Sequence, residues 1–188
     1  MKSRIEISSH FLARPLSKSG EADILSPQDR FEMLDLLHTV SWCIDAGDYG
    51  VLATIVCEDF THDHPWGAVS GRDNFIQFLQ TNPQYFEGIR TQNHNVLLRS
   101  VDLSNSLVAS QLVMTAVADA RAGTTASGPA VIAHGICLDN LRKEKEIWKL
   151  AKRTVDQMSV AEAFMPDGAR RAFFALSASE RQKAMAAR

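Results

Sequence analysis

Trp42-Cys43-Ile44-Asp45-Ala46-Gly47-Asp48-Tyr49-Gly50-Val51-Leu52 closes one amphipathic helix and opens another. Gly47 is the residue type that accepts the left-handed turn ending a helix. Asp48 follows as N-cap, short and polar enough to accept from the orphan N–H groups of the next helix. Asp45 is thereby left in the last turn of the first helix, where the macrodipole disfavours negative charge. A carboxylate there is either solvated or held for a purpose.

Working outward, Ser26-Pro27-Gln28-Asp29 is a helix start, with Ser as N-cap, Pro at the first helical position and an acid in the first turn. The helix is predicted to run to about Ile44 on an apolar stripe of Met33, Leu36, Leu37, Val40 and Ile44. Leu34, His38, Ser41, Trp42 and Asp45 form an adjoining stripe. Residues 1–25 lack a period and read as an N-terminal arm. Downstream, a short helix is expected over 49–57, then a strand through Asp59-Phe-Thr-His-Asp-His-Pro65 that the proline stops. On that strand Phe60, His62 and His64 face one way. Ser70-Gly71-Arg72-Asp73 opens a third helix, 72–81, with Phe75, Ile76, Phe78 and Leu79 on its buried side.

Four strands are expected next, at about 91–101, 106–118, 131–142 and 147–157, with a loop over 119–130 between the second and third. On the first of them alternation puts His94, Val96 and Leu98 on one face and Asn93, Asn95 and Arg99 on the other. Trp148 and Arg153 read as packing and sheet-edge charge, and Arg142-Lys-Glu-Lys-Glu146 as a solvated hairpin tip. Residues 158–188 read as a C-terminal helical extension to a domain of 26–157. Helices followed by a run of antiparallel strands make an α+β fold, with the helices on one face of a curved sheet.

The 188 residues, 45% hydrophobic and 22% charged with net charge −2, suit a soluble globular chain and show no footprint for nucleic acid or anionic membrane. Cys43, Cys57 and Cys137 are odd in number and never in C-x-x-C, so they read as reduced, buried thiols. No stretch has the length of a signal peptide or a membrane span, and a cytoplasmic protein is expected.

The order of these elements and several strings resemble the NTF2-like superfamily, specifically its SnoaL-like branch, relatives of scytalone dehydratase, polyketide cyclases and ketosteroid isomerases. The strings are Ile44-Asp45-Ala-Gly-Asp48, Phe60-Thr-His-Asp-His-Pro65, Gly71-Arg72, Thr91-Gln-Asn-His94, His134-Gly135 through Asp139, and Ile147-Trp-Lys-Leu-Ala-Lys-Arg153. The resemblance spans about residues 27–156. It implies a cone: a strongly bent, mostly antiparallel sheet wrapped round the N-terminal helices, a mainly apolar pocket, and a homodimer. Against the dehydratase pattern, Asp45 stands at the end of the first helix, His94 at the start of a long strand, and His64 where that pattern has a pocket tyrosine. Gly135 and Cys137 stand where it has polar pocket residues, so that part is missing.

The central expectation is an Asp45/His94 pair in which the carboxylate orients the imidazole and the ring moves a proton near neutral pH. His64 is expected as a hydrogen-bond donor to developing negative charge. Flanking it on the substrate side are His62, Trp42, Trp66, Phe78, Tyr85 and Cys137. The resulting reading is a cofactor-independent lyase, isomerase or cyclase acting on a medium-sized, hydrophobic, ring-bearing molecule. Two alternatives stand beside it: a non-catalytic module binding a small molecule or partner, and a metal-dependent enzyme using His62, His64, His94 and Asp45 as ligands.

Overall fold

The computed structural model describes residues 25–65, 67–83, 86–117 and 129–161. The N-terminal arm, Trp66, Tyr85 and the expected helical tail beyond Ala161 lie outside the described residues. In chain order the elements are α1 (Pro27–Ala46), α2 (Tyr49–Ile55), β1 (Val56–His64), β2 (Gly67–Ser70), α3 (Arg72–Thr81), β3 (Ile89–Ser100), β4 (Asn105–Ala116), β5 (Ala130–Glu144) and β6 (Ile147–Val160). They form an α+β fold in which one open six-stranded sheet, ordered β2-β1-β6-β5-β4-β3, packs against α1. Every neighbouring pair is antiparallel except β1 with β6. Among the described residues no helix is long and apolar enough to cross a membrane.

The turn at Gly47 forms as its sequence requires. Gly47 sits at φ 72°, the Asp48 N–H donates to the Cys43 carbonyl at 2.9 Å, and the Asp48 side chain accepts from the Val51 N–H at 3.1 Å. The second helix stops at Ile55, short of the expected end, because Val56 and Cys57 are fully buried strand positions. β2 is not among the expected strands. Its four residues are too few to show alternation, and only pairing with β1 makes them a strand.

At the other end of α1, Asp29 closes a capping box with Ser26 and also accepts from Trp148 Nε1 at 2.8 Å and Lys143 Nζ at 2.9 Å. Its hydrogen bonds from Ser26, Trp148 and Lys143 hold the carboxyl well below the ordinary carboxylate range. The expected solvated hairpin is therefore partly tied down: Lys143 reaches α1, and Arg142 forks onto Asp59 at 3.0 and 2.6 Å. Asp29→Ala should cost about 2–3 kcal/mol, combining a lost cap with two lost charge-assisted bonds. Urea denaturation checks this, and Asp29→Asn, which keeps an acceptor, should lose less.

The core lies between the inner face of α1 (Met33, Leu37, Val40) and the sheet. Two bulges decide which strand residues join it. Asn95 at φ 50° inserts an extra residue in β3 where the β3–β4 register shifts between His94 and Leu97. Before the bulge Asn93 points inward, to Ser41 of α1; after it Val96 and Leu98 do. The expected common face for His94, Val96 and Leu98 is thus corrected, since one inserted residue reverses the parity of everything before it. The second bulge, near Gln157 at φ 50°, brings β6 so close to Gly135 that a Cβ there would lie 3.2 Å from the Asp156 carbonyl oxygen. Close approach of two backbones, rather than a vacancy in a pocket, explains the glycine.

Candidate functional site

A cleft of about 440 Å³ lies between the last turns of α1 and the first half of β3. His38, Ser41, Trp42 and Asp45 line it from the helix at spacings of three and four; Arg90, Thr91, Gln92, Asn93 and His94 line it from the strand. β3 is an edge of the sheet, so its outer N–H groups are open to a partner. Asp45 supplies one. Its Oδ2 accepts from the Thr91 N–H at 2.8 Å. The other carboxylate oxygen, Oδ1, is buried and has no hydrogen-bond partner among the described residues. Burial raises the Asp45 pKa, against the pull of Thr91 and the nearby Arg90 charge. The helix-end carboxylate is thus fixed by one oxygen and unsatisfied at the other, a state that asks for a ligand group.

His94 lines the same cleft but does not bond to Asp45. Its exposed ring sits with Nε2 3.1 Å from Gln92 Oε1, and the residue facing Asp45 is Thr91. Trp42 is 68% exposed and forms an outer lip of the cleft. Phe78 lies elsewhere, on α3, edge-on to Phe86 at 6.3 Å.

The other expected residues lie on the sheet's inner face, where a row of polar groups crosses five strands. On β1, His62 is opposite Arg153 of β6 in the register, and Arg153 is opposite Asp139 of β5. Arg153 donates to both Asp139 oxygens at 2.8 Å, with the two residues 4% and 1% exposed. Arg153 is therefore no sheet-edge charge but half of a buried ion pair. Cys137 Sγ lies 3.5 Å from Asp139 Oδ1; burial first, then the Asp139 charge, pushes its pKa up, so it stays a thiol. The Ser110 hydroxyl donates to Asn93 Oδ1 at 3.2 Å, and Asn93 Nδ2 donates to Ser41 Oγ at 2.9 Å. Alternation could have placed Asp139 and Arg153 on one face, but only strand order pairs them.

His62 packs against Phe75 at 5.2 Å and His64 at 5.6 Å, and its Nδ1 is buried without a hydrogen-bond partner among the described residues. Burial, followed by His64 and Arg153, lowers its pKa well below the ordinary value of 6.5, so the ring is neutral. In the window below 6.5 the unfolded chain takes up a proton that the fold resists, so stability falls with pH from about 6.5 to the folded pKa. The raised Asp45 acts oppositely, in the lower carboxylate window. Urea midpoints should therefore drop between about pH 7.5 and 5.5 in the wild type and drop less in His62→Phe.

His62, His64, His94 and Asp45 do not gather into a ligand set. Among the described residues, Cys57, Asp59 and Glu144 are the group whose ligand atoms come together, and there the Arg142 guanidinium already bonds Asp59 and Glu144. That geometry counts against the metal-centred alternative built on the histidines.

Solved structures share this architecture. A provisionally named scytalone dehydratase of Novosphingobium aromaticivorans superposes with TM-score 0.59 at 18% identity, covering 72% of this chain and 89% of its own. An NTF2-like protein with a cystatin-like fold, from the same organism, gives 0.58 at 14%, covering 80% and 90%. ActVI-ORFA of Streptomyces coelicolor gives 0.59 at 18%, covering 70% and 97%. At such identities the likeness shows the fold alone, and no curated protein matches the sequence. The SnoaL-like domain family itself matches residues 26–154, which take in α1, the cleft and the inner polar row, so the chain belongs to the SnoaL-like domain family.

Proposed function

We propose that this chain is a cofactor-independent acid–base enzyme, a lyase, isomerase or cyclase, acting on a medium-sized, hydrophobic, ring-bearing molecule held in the α1–β3 cleft. The observation that carries the reading is Asp45, fixed through Oδ2 by the Thr91 N–H with Oδ1 buried and unpartnered among the described residues. A carboxylate whose ionisation burial opposes is a stronger base than a solvated one, and its geometry is set before a ligand arrives. Asp45 Oδ1 removes a proton from the carbon beside a ligand carbonyl, leaving an enolate; the proton then returns to a different carbon in an isomerisation, or goes to a β-hydroxyl that departs as water in an elimination. His94, on the strand wall of the same cleft, is the second proton-handling group. The dehydratase-like name of one structural neighbour is in keeping with this chemistry.

The test needs no knowledge of the natural substrate. With 2-tetralone in D2O, the protein should accelerate exchange of the protons beside the carbonyl, as followed by NMR, and Asp45→Asn should not. Equal rates with both proteins would remove the acid–base reading. The bond between His94 and Gln92, in place of one to Asp45, favours a second reading in which the cleft binds without converting; that reading predicts saturable binding of the ketone and no exchange.

A further inference from the structure

Arg90 and Trp42 are among the cleft residues that this chemistry does not use. Arg90 lines it from β3, and the guanidinium is held by a bond from Nη1 to the Ile89 carbonyl at 2.7 Å. Among the described residues the ion pairs go to other cations: Arg72, Arg142, Lys143, Lys149 and Arg153. Asp45, which lines the same cleft and feels the Arg90 charge, is hydrogen-bonded to the Thr91 N–H and makes no ion pair with Arg90. Arg90 is therefore a held charge in the cleft that, among the described residues, has no carboxylate in ion-pair contact. From the helix side Trp42 offers an indole that is 68% exposed, although a tryptophan normally buries most of its surface.

We propose that the α1–β3 cleft selects planar aromatic carboxylates, with the ligand ring lying on Trp42 and its carboxylate on Arg90. The proposal rests on the cleft being the ligand site, and it adds a substrate class that the acid–base reading leaves open. A planar guanidinium matches a carboxylate with two parallel N–H donors, a fit that neither an amide nor a ketone reproduces. Holding Nη1 against the strand's own backbone reduces the freedom the side chain loses on binding. The flat indole supplies stacking area without a charge preference. Recognition and chemistry are thus divided between residues: Arg90 and Trp42 hold the carboxylate and the ring, and the Asp45 oxygen is left to act on a further carbonyl-bearing part of a substrate of this class.

Isothermal titration with 2-naphthoate and 2-naphthamide, two probes of one shape differing in charge, tests this directly. The wild type should bind naphthoate about 10–100-fold tighter than the amide, the range set by one charged, bidentate contact, and the preference should shrink as salt rises. Arg90→Gln should bring the two affinities together, while Trp42→Leu should weaken both probes alike. Equal wild-type affinities, failure to bind either probe, or a preference that survives Arg90→Gln would each overturn the proposal. The tetralone exchange separates it from the acid–base reading. If Asp45→Asn leaves exchange unchanged while Arg90→Gln abolishes the naphthoate preference, the chemistry is lost and the ligand class stands. Lost exchange in Asp45→Asn with no charge preference in the wild type gives the reverse.

Discussion

Arg153→Met alone should lose about 3–5 kcal/mol of stability, and Asp139→Leu alone a similar amount, because each leaves one buried charge without its partner. The double variant should recover most of that loss, since removing both charges also removes both desolvation costs. Urea denaturation of the four proteins closes the cycle, and a double variant as unstable as the sum of the singles would mean the pair is not coupled. The size follows from the geometry. Two 2.8 Å bonds join groups that are 4% and 1% exposed, so water cannot replace a lost partner. Asp139 also lies within 3.5 Å of the Cys137 thiol, so Arg153→Met would leave a buried carboxylate supported by one weak donor.

Asp45→Asn should lower proton exchange by about 10²–10⁴-fold, the usual contribution of a positioned general base. Stability should barely change, because the amide oxygen can still accept from the Thr91 N–H and no buried charge remains. Loss of exchange without loss of stability is what separates a chemical role from a structural one. The pH profile gives a second check: burial raises the Asp45 pKa, so the acid limb should lie above the ordinary value of 3.8. Thr91→Val, which keeps the backbone bond but removes the hydroxyl that favours the ionised carboxylate, should move that limb higher still. A limb unmoved by Thr91→Val would mean that another group titrates.

The two variants probe the parts of the protein that are least and most legible in its sequence. Asp45 is legible from its neighbours alone, because Gly47 and Asp48 mark the helix boundary so clearly that the carboxylate's position follows. The partner it takes is not. Alternation carried through to Leu98 turns His94 inward, toward Asp45; the bulge at Asn95 instead puts Thr91 against Asp45 and His94 beside Gln92. Asn95 looks like any polar strand residue until its φ is known. Arg153 misleads for a related reason: next to Lys152 in a terminal strand it reads as surface charge, and only pairing β6 between β1 and β5 encloses it.

By itself the sequence determined every described element except β2, and most of their bounds, because caps, periods and turn residues act over a few neighbouring positions. It also determined the α+β order that places Asp45 at a helix end beside a sheet. Tertiary structure alone decided the short strand β2, the parallel β1–β6 pairing, the Asp139–Arg153 bridge and the choice of Thr91 over His94. Each depends on register between strands distant in the chain. Register is a difference of single residues, and where a bulge inserts one, the faces of a strand exchange without any change in its composition.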